Sequence, residues 1–127
     1  MTALYLGGSG EDKAALARRF HGEHAHLIEK LHLRVRECLD RGEAPSDLLP
    51  GLLGSVVTCD EVGCGVIPLD KADRLWRDEV GRLCSALAQQ ADLVVFVTCG
   101  LPQVLKGTLP DGNHGKEGGI VWITRPC

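Results

Sequence analysis

Aromatic residues are scarce in this 127-residue chain, at 4% of the total. Leu, Val and Ala must therefore build the core. Long apolar runs are also missing. The longest, Leu93 to Val97, falls far short of the roughly 20 residues that cross a bilayer as a helix. There is no run of basic residues, and the formal net charge is −3. That balance excludes a general nucleic-acid binder and a basic membrane-surface patch. The N-terminal stretch Met1-Thr2-Ala3-Leu4-Tyr5-Leu6 lacks the charged and long apolar regions of a signal peptide and reads as a first strand. The six cysteines, at 38, 59, 64, 84, 99 and 127, contain no CxxC pair, so a structural zinc site has no support. Without an export signal they read as reduced thiols of a cytoplasmic protein. No HExxH-type spacing occurs among the five histidines, which default to solvent-exposed or capping roles.

What is present alternates between short apolar runs and helical periodicity. Residues 3–6 are apolar and run into Gly7-Gly8-Ser9-Gly10. A helix is expected from Asp12 to Phe20, with Ala14, Leu16, Ala17 and Phe20 on its apolar face. His26-Leu27-Ile28 reads as a short strand ending near Glu29, and Leu31 to Asp40 as a helix with Leu31, Val35, Cys38 and Leu39 inward. Ser46 to Leu49 suggests one brief helical turn closed by Pro50 and Gly51. Residues 54–58 form a strand candidate. The strongest periodicity runs from Asp70 to Gln90, through Ala72, Leu75, Trp76, Val80, Leu83 and Leu87. Leu93 to Val97 is apolar on both faces, as a central parallel strand requires, and Thr98 to Pro102 ends it. Residues 107–119 read as a Gly-rich loop and 120–123 as a last strand. The pattern implies one α/β domain over residues 1–127, a three-layer sandwich with a mostly parallel sheet.

Ligands of such sheets bind beyond the carboxyl ends of the strands. The loop Gly7-Gly8-Ser9-Gly10-Glu11-Asp12-Lys13-Ala14 keeps the outer spacing of a P-loop, from Gly7 to Lys13. Asp12 stands where the second glycine belongs, and Ala14 cannot offer a hydroxyl to Mg²⁺. Glu11 and Asp12 add two negative charges where a polyphosphate would sit. The loop reads as a relic turn rather than an ordinary triphosphate cradle. At the next strand end, Asp60 and Glu61 can hold Mg²⁺ or orient a nucleophile, or can cap a loop. Glu29 is a third acid of the same kind, or a solvated residue. Cys59 and Cys99 each follow a Val-Thr strand end and would lie close together if those strands were neighbours.

The run Val56-Val57-Thr58-Cys59-Asp60-Glu61-Val62-Gly63-Cys64-Gly65-Val66-Ile67-Pro68 resembles the stretch V-T-N-E-V-G-x-G of the adenosylcobinamide kinase/adenosylcobinamide-phosphate guanylyltransferase family. Arg74 to Leu83 is similar to the family's following helix, and residues 92–107 to its end. The likeness is best over 54–107, weaker over 1–53 and absent from the tail 108–127. The resemblance implies a P-loop NTPase-like fold that uses ATP or GTP with Mg²⁺. Such enzymes phosphorylate the aminopropanol arm of a corrinoid intermediate, then transfer GMP to it through a guanylylated histidine. On this likeness Lys13 and Glu61 are the catalytic candidates. Gly7, Gly8, Ser9, Gly10, Lys13, Gly63 and Gly65 would hold nucleotide, and Glu29 and Glu61 the metal. Lys13 and Glu61 would converge on one anion pocket. The family's extra length falls between the first helix and second strand, where the guanylylated histidine belongs, and His21, His24 and His26 are its candidate remnants. Asp60 replaces the family's Asn. The family's small oligomers make a homo-oligomer the expected assembly, with no nucleic-acid or membrane partner. A non-catalytic nucleotide- or corrinoid-binding subunit built on the same fold is the alternative.

Overall fold

The computed structural model describes residues 1–62 and 70–110, and the backbone of 123–124. Strand β1 (Ala3–Gly7) leads to α1 (Lys13–His21), β2 (Leu27–Ile28) and α2 (Leu31–Asp40). A 3-10 turn (Pro45–Leu48) and the short α3 (Leu49–Leu52) precede β3 (Val56–Asp60), and α4 (Lys71–Gln90) then leads to β4 (Leu93–Thr98). Strands β5 (Leu101–Lys106) and β6 (Ile123–Thr124) complete a sheet of order β2-β3-β1-β4-β5-β6. The pairings β2–β3, β3–β1 and β1–β4 are parallel, and β4–β5 is antiparallel.

Strand alternation sorts the core into two layers. Leu4, Val57, Cys59 and Val94 point to one face, against Leu31 and Val35 of α2, Leu52 of α3 and Val80, Leu83 and Leu87 of α4. Ala3, Tyr5, Val56, Leu93, Val95 and Val97 point to the other, against Ala17 and Phe20 of α1. The sandwich is therefore three-layered, and the parallel strands are apolar on both sides because both sides are covered. Helices α2 and α4 are also joined by polar contacts. The Trp76 indole N–H donates to the His32 carbonyl at 2.7 Å, and the Arg36 guanidinium lies 4.4 Å over the Trp76 ring.

Several expected boundaries shift. Strand β3 begins at Val56 rather than residue 54, because Gly54 takes a positive φ of 84° and its N–H donates to the Thr2 hydroxyl. Pro50 and Gly51 lie inside α3 instead of closing the helical turn. A proline is tolerated there because a first-turn N–H has no helical partner. Leu75 is 49% exposed, so the first half of α4 packs through Trp76 and Val80 instead. Strand β5 was not expected at all. Cys99 and Gly100 both take positive φ, 53° and 74°, the requirement of a type I′ hairpin turn. The chain thus folds back where Pro102 suggested a strand's end. The expected Gly-rich stretch from 111 onward and residues 120–122 lie outside the described residues.

Candidate functional site

The loop after β1 is built by close approach. A Cβ on Gly7 would lie 2.7 Å from the Val97 carbonyl oxygen, so only glycine fits between β1 and β4. The Glu11 N–H donates to the Gly8 carbonyl, which closes a turn over Ser9 and Gly10. Asp12 caps α1, accepting from the Ala15 N–H at 3.1 Å. The Glu11 carboxylate accepts from the backbone N–H groups of Cys99 and Gly100, at 3.1 and 2.8 Å. Both acids of the loop are thus committed to backbone donors. Both acids also line the cleft beside Lys13, so their negative charge stays at its edge, one engaged with a helix end and the other with a hairpin turn.

Lys13 opens α1 and is only 5% exposed. Its ammonium lies 2.9 Å from Asp60 Oδ1 and donates to the Gly8 carbonyl at 2.7 Å. Asp60 is the residue opposite Gly7 in the β1–β3 register, so the sheet itself delivers this carboxylate to the first loop. His32, in the first turn of α2, holds Asp60 from the other side. Its Nδ1 accepts from the Asp60 N–H at 3.1 Å, and its Nε2 lies 3.2 Å from Asp60 Oδ2. An accepting Nδ1 fixes the proton on Nε2 in the neutral ring. Burial holds the His32 pKa below its ordinary value, Asp60 opposes that shift, and Lys13 and Lys30 reinforce it. Lys30 takes a left-handed φ of 57°, and its N–H donates to the Thr58 hydroxyl at 3.0 Å.

These groups line a cleft of about 230 Å³ with Ser9, Ala14 and Glu29. Its floor is the carboxyl ends of β1 and β3, and one wall is the N-terminus of α1. Lys13, Ser9 and Glu29, all expected at the site, do line it. Glu29 also pairs with Arg18 at 3.1 Å. Gly8 contributes the carbonyl that Lys13 holds, Gly7 lies opposite Asp60 in the sheet, and Gly10 belongs to the turn; none of the three lines the cleft. Glu61 is placed elsewhere. Side chains alternate along β3, so Thr58 and Asp60 face the α1 side and Glu61 the α4 side. There it lines a second groove of about 310 Å³, with Val80, Cys84 and Leu105. Lys13 and Glu61 therefore do not converge; Lys13 meets Asp60. Gly63 and Gly65 lie outside the described residues.

Sequence reasoning did not select Asp60 over Glu61, and it missed His32. The period-two alternation ending at Asp60 was the available signal. His32 sits beside Leu31 on the buried edge of α2, and is buried and bonded instead of exposed. His21 accepts or donates at the Tyr5 hydroxyl, 2.9 Å away, and His26 pairs with Ser55 at 2.8 Å. Neither lines the cleft. Cys59 and Cys99 are also apart: β1 lies between their strands, and Cys59 meets Cys84. Among the described residues no three His, Cys, Asp or Glu side chains gather as a metal cage.

The first residue of α1, Lys13, is thus paired with an aspartate at the end of the strand beside β1. Residues 13–105 match the family model of cobinamide kinase/cobinamide phosphate guanyltransferase. The chain belongs to that family. It is also 41% identical over 90 residues to the bifunctional adenosylcobalamin biosynthesis protein CobP of Pseudomonas aeruginosa. That match covers 71% of this chain and 42% of CobP, so the chain spans less than half of its relative's length. Within the cobinamide kinase match lie Lys13, Glu29, His32, Asp60 and Glu61. The match opens at the lysine and closes within β5. A cobalamin-assembly family dependent on nucleotides thus supplies the context for the cleft. No helix among the described residues is long and apolar enough to cross a membrane.

Proposed function

We propose that this chain binds a nucleoside triphosphate by its phosphates in the Lys13–Asp60 cleft and acts in nucleotide-dependent processing of a cobinamide. The carrying observation is the buried Lys13 ammonium at the N-terminus of α1, 2.9 Å from an acid of the neighbouring parallel strand. A helix N-terminus and a lysine together favour a phosphate. Phosphate oxygens would take the place of Asp60 and the Gly8 carbonyl as partners of Lys13. Glu11, Asp12, Glu29 and Asp60 all line the cleft; Glu11 and Asp12 are engaged with backbone N–H groups, which leaves Asp60 and Glu29 as the carboxylates for Mg²⁺, a cation suited to hard oxygen donors. One or two carboxylates are enough, since Mg²⁺ takes its other ligands from water and phosphate. Bound there, the ion would neutralise charge on the transferring phosphoryl group. ATP and GTP are both candidates, and the cobinamide is the acceptor.

The test is turnover of adenosylcobinamide with Mg–ATP or Mg–GTP, read as labelled phosphate on the corrinoid, together with nucleotide binding by calorimetry. Phosphorylated product that disappears in Lys13→Ala supports the proposal. Absence of both binding and product overturns it. A specific feature favours a second reading, a binding subunit without turnover. Ala14 offers no hydroxyl to the metal, and the Lys13 donors are all engaged within the chain, including a 3.5 Å contact to the Glu11 carbonyl. Nucleotide binding without product would select it.

A further inference from the structure

We propose that Cys59 and Cys84 form an oxidant-responsive dithiol, a modification site at which an internal disulfide ties the end of β3 to α4. The two sulfur atoms lie 3.6 Å apart, with the residues 25 positions apart in sequence. They face each other across the interface between sheet and helix. Cys59 is fully buried in the α2–α4 core layer, directly before Asp60. Cys84 sits mid-helix and lines the 310 Å³ groove that also holds Asp60 and Glu61. Closing to a disulfide bond of about 2.05 Å requires the sulfur atoms to approach by about 1.5 Å.

Two buried thiols often do no more than fill space. Access and proximity set this pair apart. Among the described cysteines, Cys38 is buried away from any thiol and Cys99 is exposed on a turn, whereas Cys84 meets both a cavity and a second thiol. Cys84 borders the groove, whereas Cys59 is sealed in the core behind it. An oxidant entering the groove meets Cys84 first, so Cys84 is the nucleophile and Cys59 the resolving thiol. With a peroxide as oxidant, the Cys84 thiolate attacks one oxygen, the O–O bond breaks, and the departing hydroxide takes a proton to leave as water. Cys84 is now a sulfenic acid. The Cys59 sulfur attacks it, the S–O bond breaks, and the hydroxide leaves with the Cys59 proton as a second water. Two thiols are oxidised and one peroxide is reduced. The closed ring contains Asp60 and Glu61, so oxidation fastens the acidic strand end to α4.

The experiment treats the full chain with hydrogen peroxide and reads intact mass and cross-linked peptides. The expected result is a loss of about 2 Da, with tandem mass spectrometry placing the link between Cys59 and Cys84. The link persists in the Cys64→Ser/Cys99→Ser double variant and is absent from Cys84→Ser. Phenylarsine oxide, which needs two adjacent thiols, gives a redox-independent reading on the unmodified chain: one equivalent binds, and Cys84→Ser abolishes it. A gain of about 32 Da on Cys84 without a link, or a link that joins other cysteines, overturns the proposal.

Discussion

Lys13 is a cation with 5% of its surface exposed, and that single fact governs the residue scale. A buried charge persists only when paired and hydrogen-bonded. Asp60 and the Gly8 carbonyl supply both conditions. Lys13→Ala leaves Asp60 facing the cleft without its cation, and should cost about 3 kcal/mol, the low end for a broken buried pair because Asp60 keeps some contact with water. Urea denaturation checks the cost, and nucleotide binding should vanish in the same variant. His32 makes a second prediction, on pH. Its folded pKa lies below the ordinary value of about 6.5, chiefly through burial. The unfolded chain therefore takes up a proton on acidification that the folded chain refuses. Stability is complete above about pH 6.5, falls as the pH drops through that value, and levels off below the folded-state pKa. His21 shifts in the same direction, also through burial. The urea midpoint should thus drop between pH 8 and pH 5.5, and His32→Asn, which keeps an acceptor for the Asp60 N–H, should reduce the drop without removing it. An unchanged midpoint would show that neither ring is held neutral. Little of this was legible in the sequence. Which of two adjacent acids meets Lys13 depends on strand parity, and parity depends on where β3 starts.

At the scale of elements, periodicity carried most of the information. Leu31, Val35 and Cys38 mark α2 because each contributes to one buried stripe, and its bounds match the expected Leu31 to Asp40. Helix α4 is likewise readable from Val80, Leu83 and Leu87, and Asp70 caps it by accepting from the Ala72 N–H at 2.8 Å. The hairpin β4–β5 is not readable in this way. Its turn uses Cys99 where Asn is the preferred residue, and its second strand carries Pro102, which gives no N–H to a ladder. Two opposite effects follow for that hairpin. Cys99→Asn places a residue at ease with positive φ at the turn and should stabilise the fold by about 0.5–1 kcal/mol. Gly107→Ala, at a φ of 81°, would drive a Cβ into the Asp92 carbonyl oxygen at the hairpin's other end. Its cost should reach about 3 kcal/mol, the range of overpacking added to a forbidden backbone angle. Thermal melts of the two variants should move in opposite directions from the parent. A Gly107→Ala protein as stable as the parent would mean that β5 does not close on β4 as described.

For the whole molecule, the strand order explains why one cleft collects the chemistry. Helix α1 leaves β1 on one face and α4 reaches β4 on the other, so the chain diverges at β1. A sheet that splits there opens a crevice at its carboxyl ends. This much was legible: unbroken apolar strands demand cover on both sides, and cover on both sides demands that divergence. The content of the crevice was not, because it depends on a register, Gly7 opposite Asp60, that no local pattern encodes. The register also gives ligand binding a particular energetics. A phosphate that engages Lys13 must first separate it from Asp60, so part of the binding energy is spent within the protein. Net stabilisation still follows the linkage rule, about 2.7 kcal/mol at a hundredfold excess over Kd. For a domain of this size that corresponds to a rise in Tm of about 10 °C. Asp60→Asn removes the internal competitor together with one carboxylate available to Mg²⁺. Without Mg²⁺, the variant should bind nucleotide more tightly than the parent, and addition of Mg²⁺ should strengthen binding less than it does for the parent. Melting curves at matched nucleotide concentrations, with and without Mg²⁺, separate the two contributions. If Asp60→Asn weakened metal-free binding, the aspartate would be a direct partner of the nucleotide and not a stand-in for its phosphate.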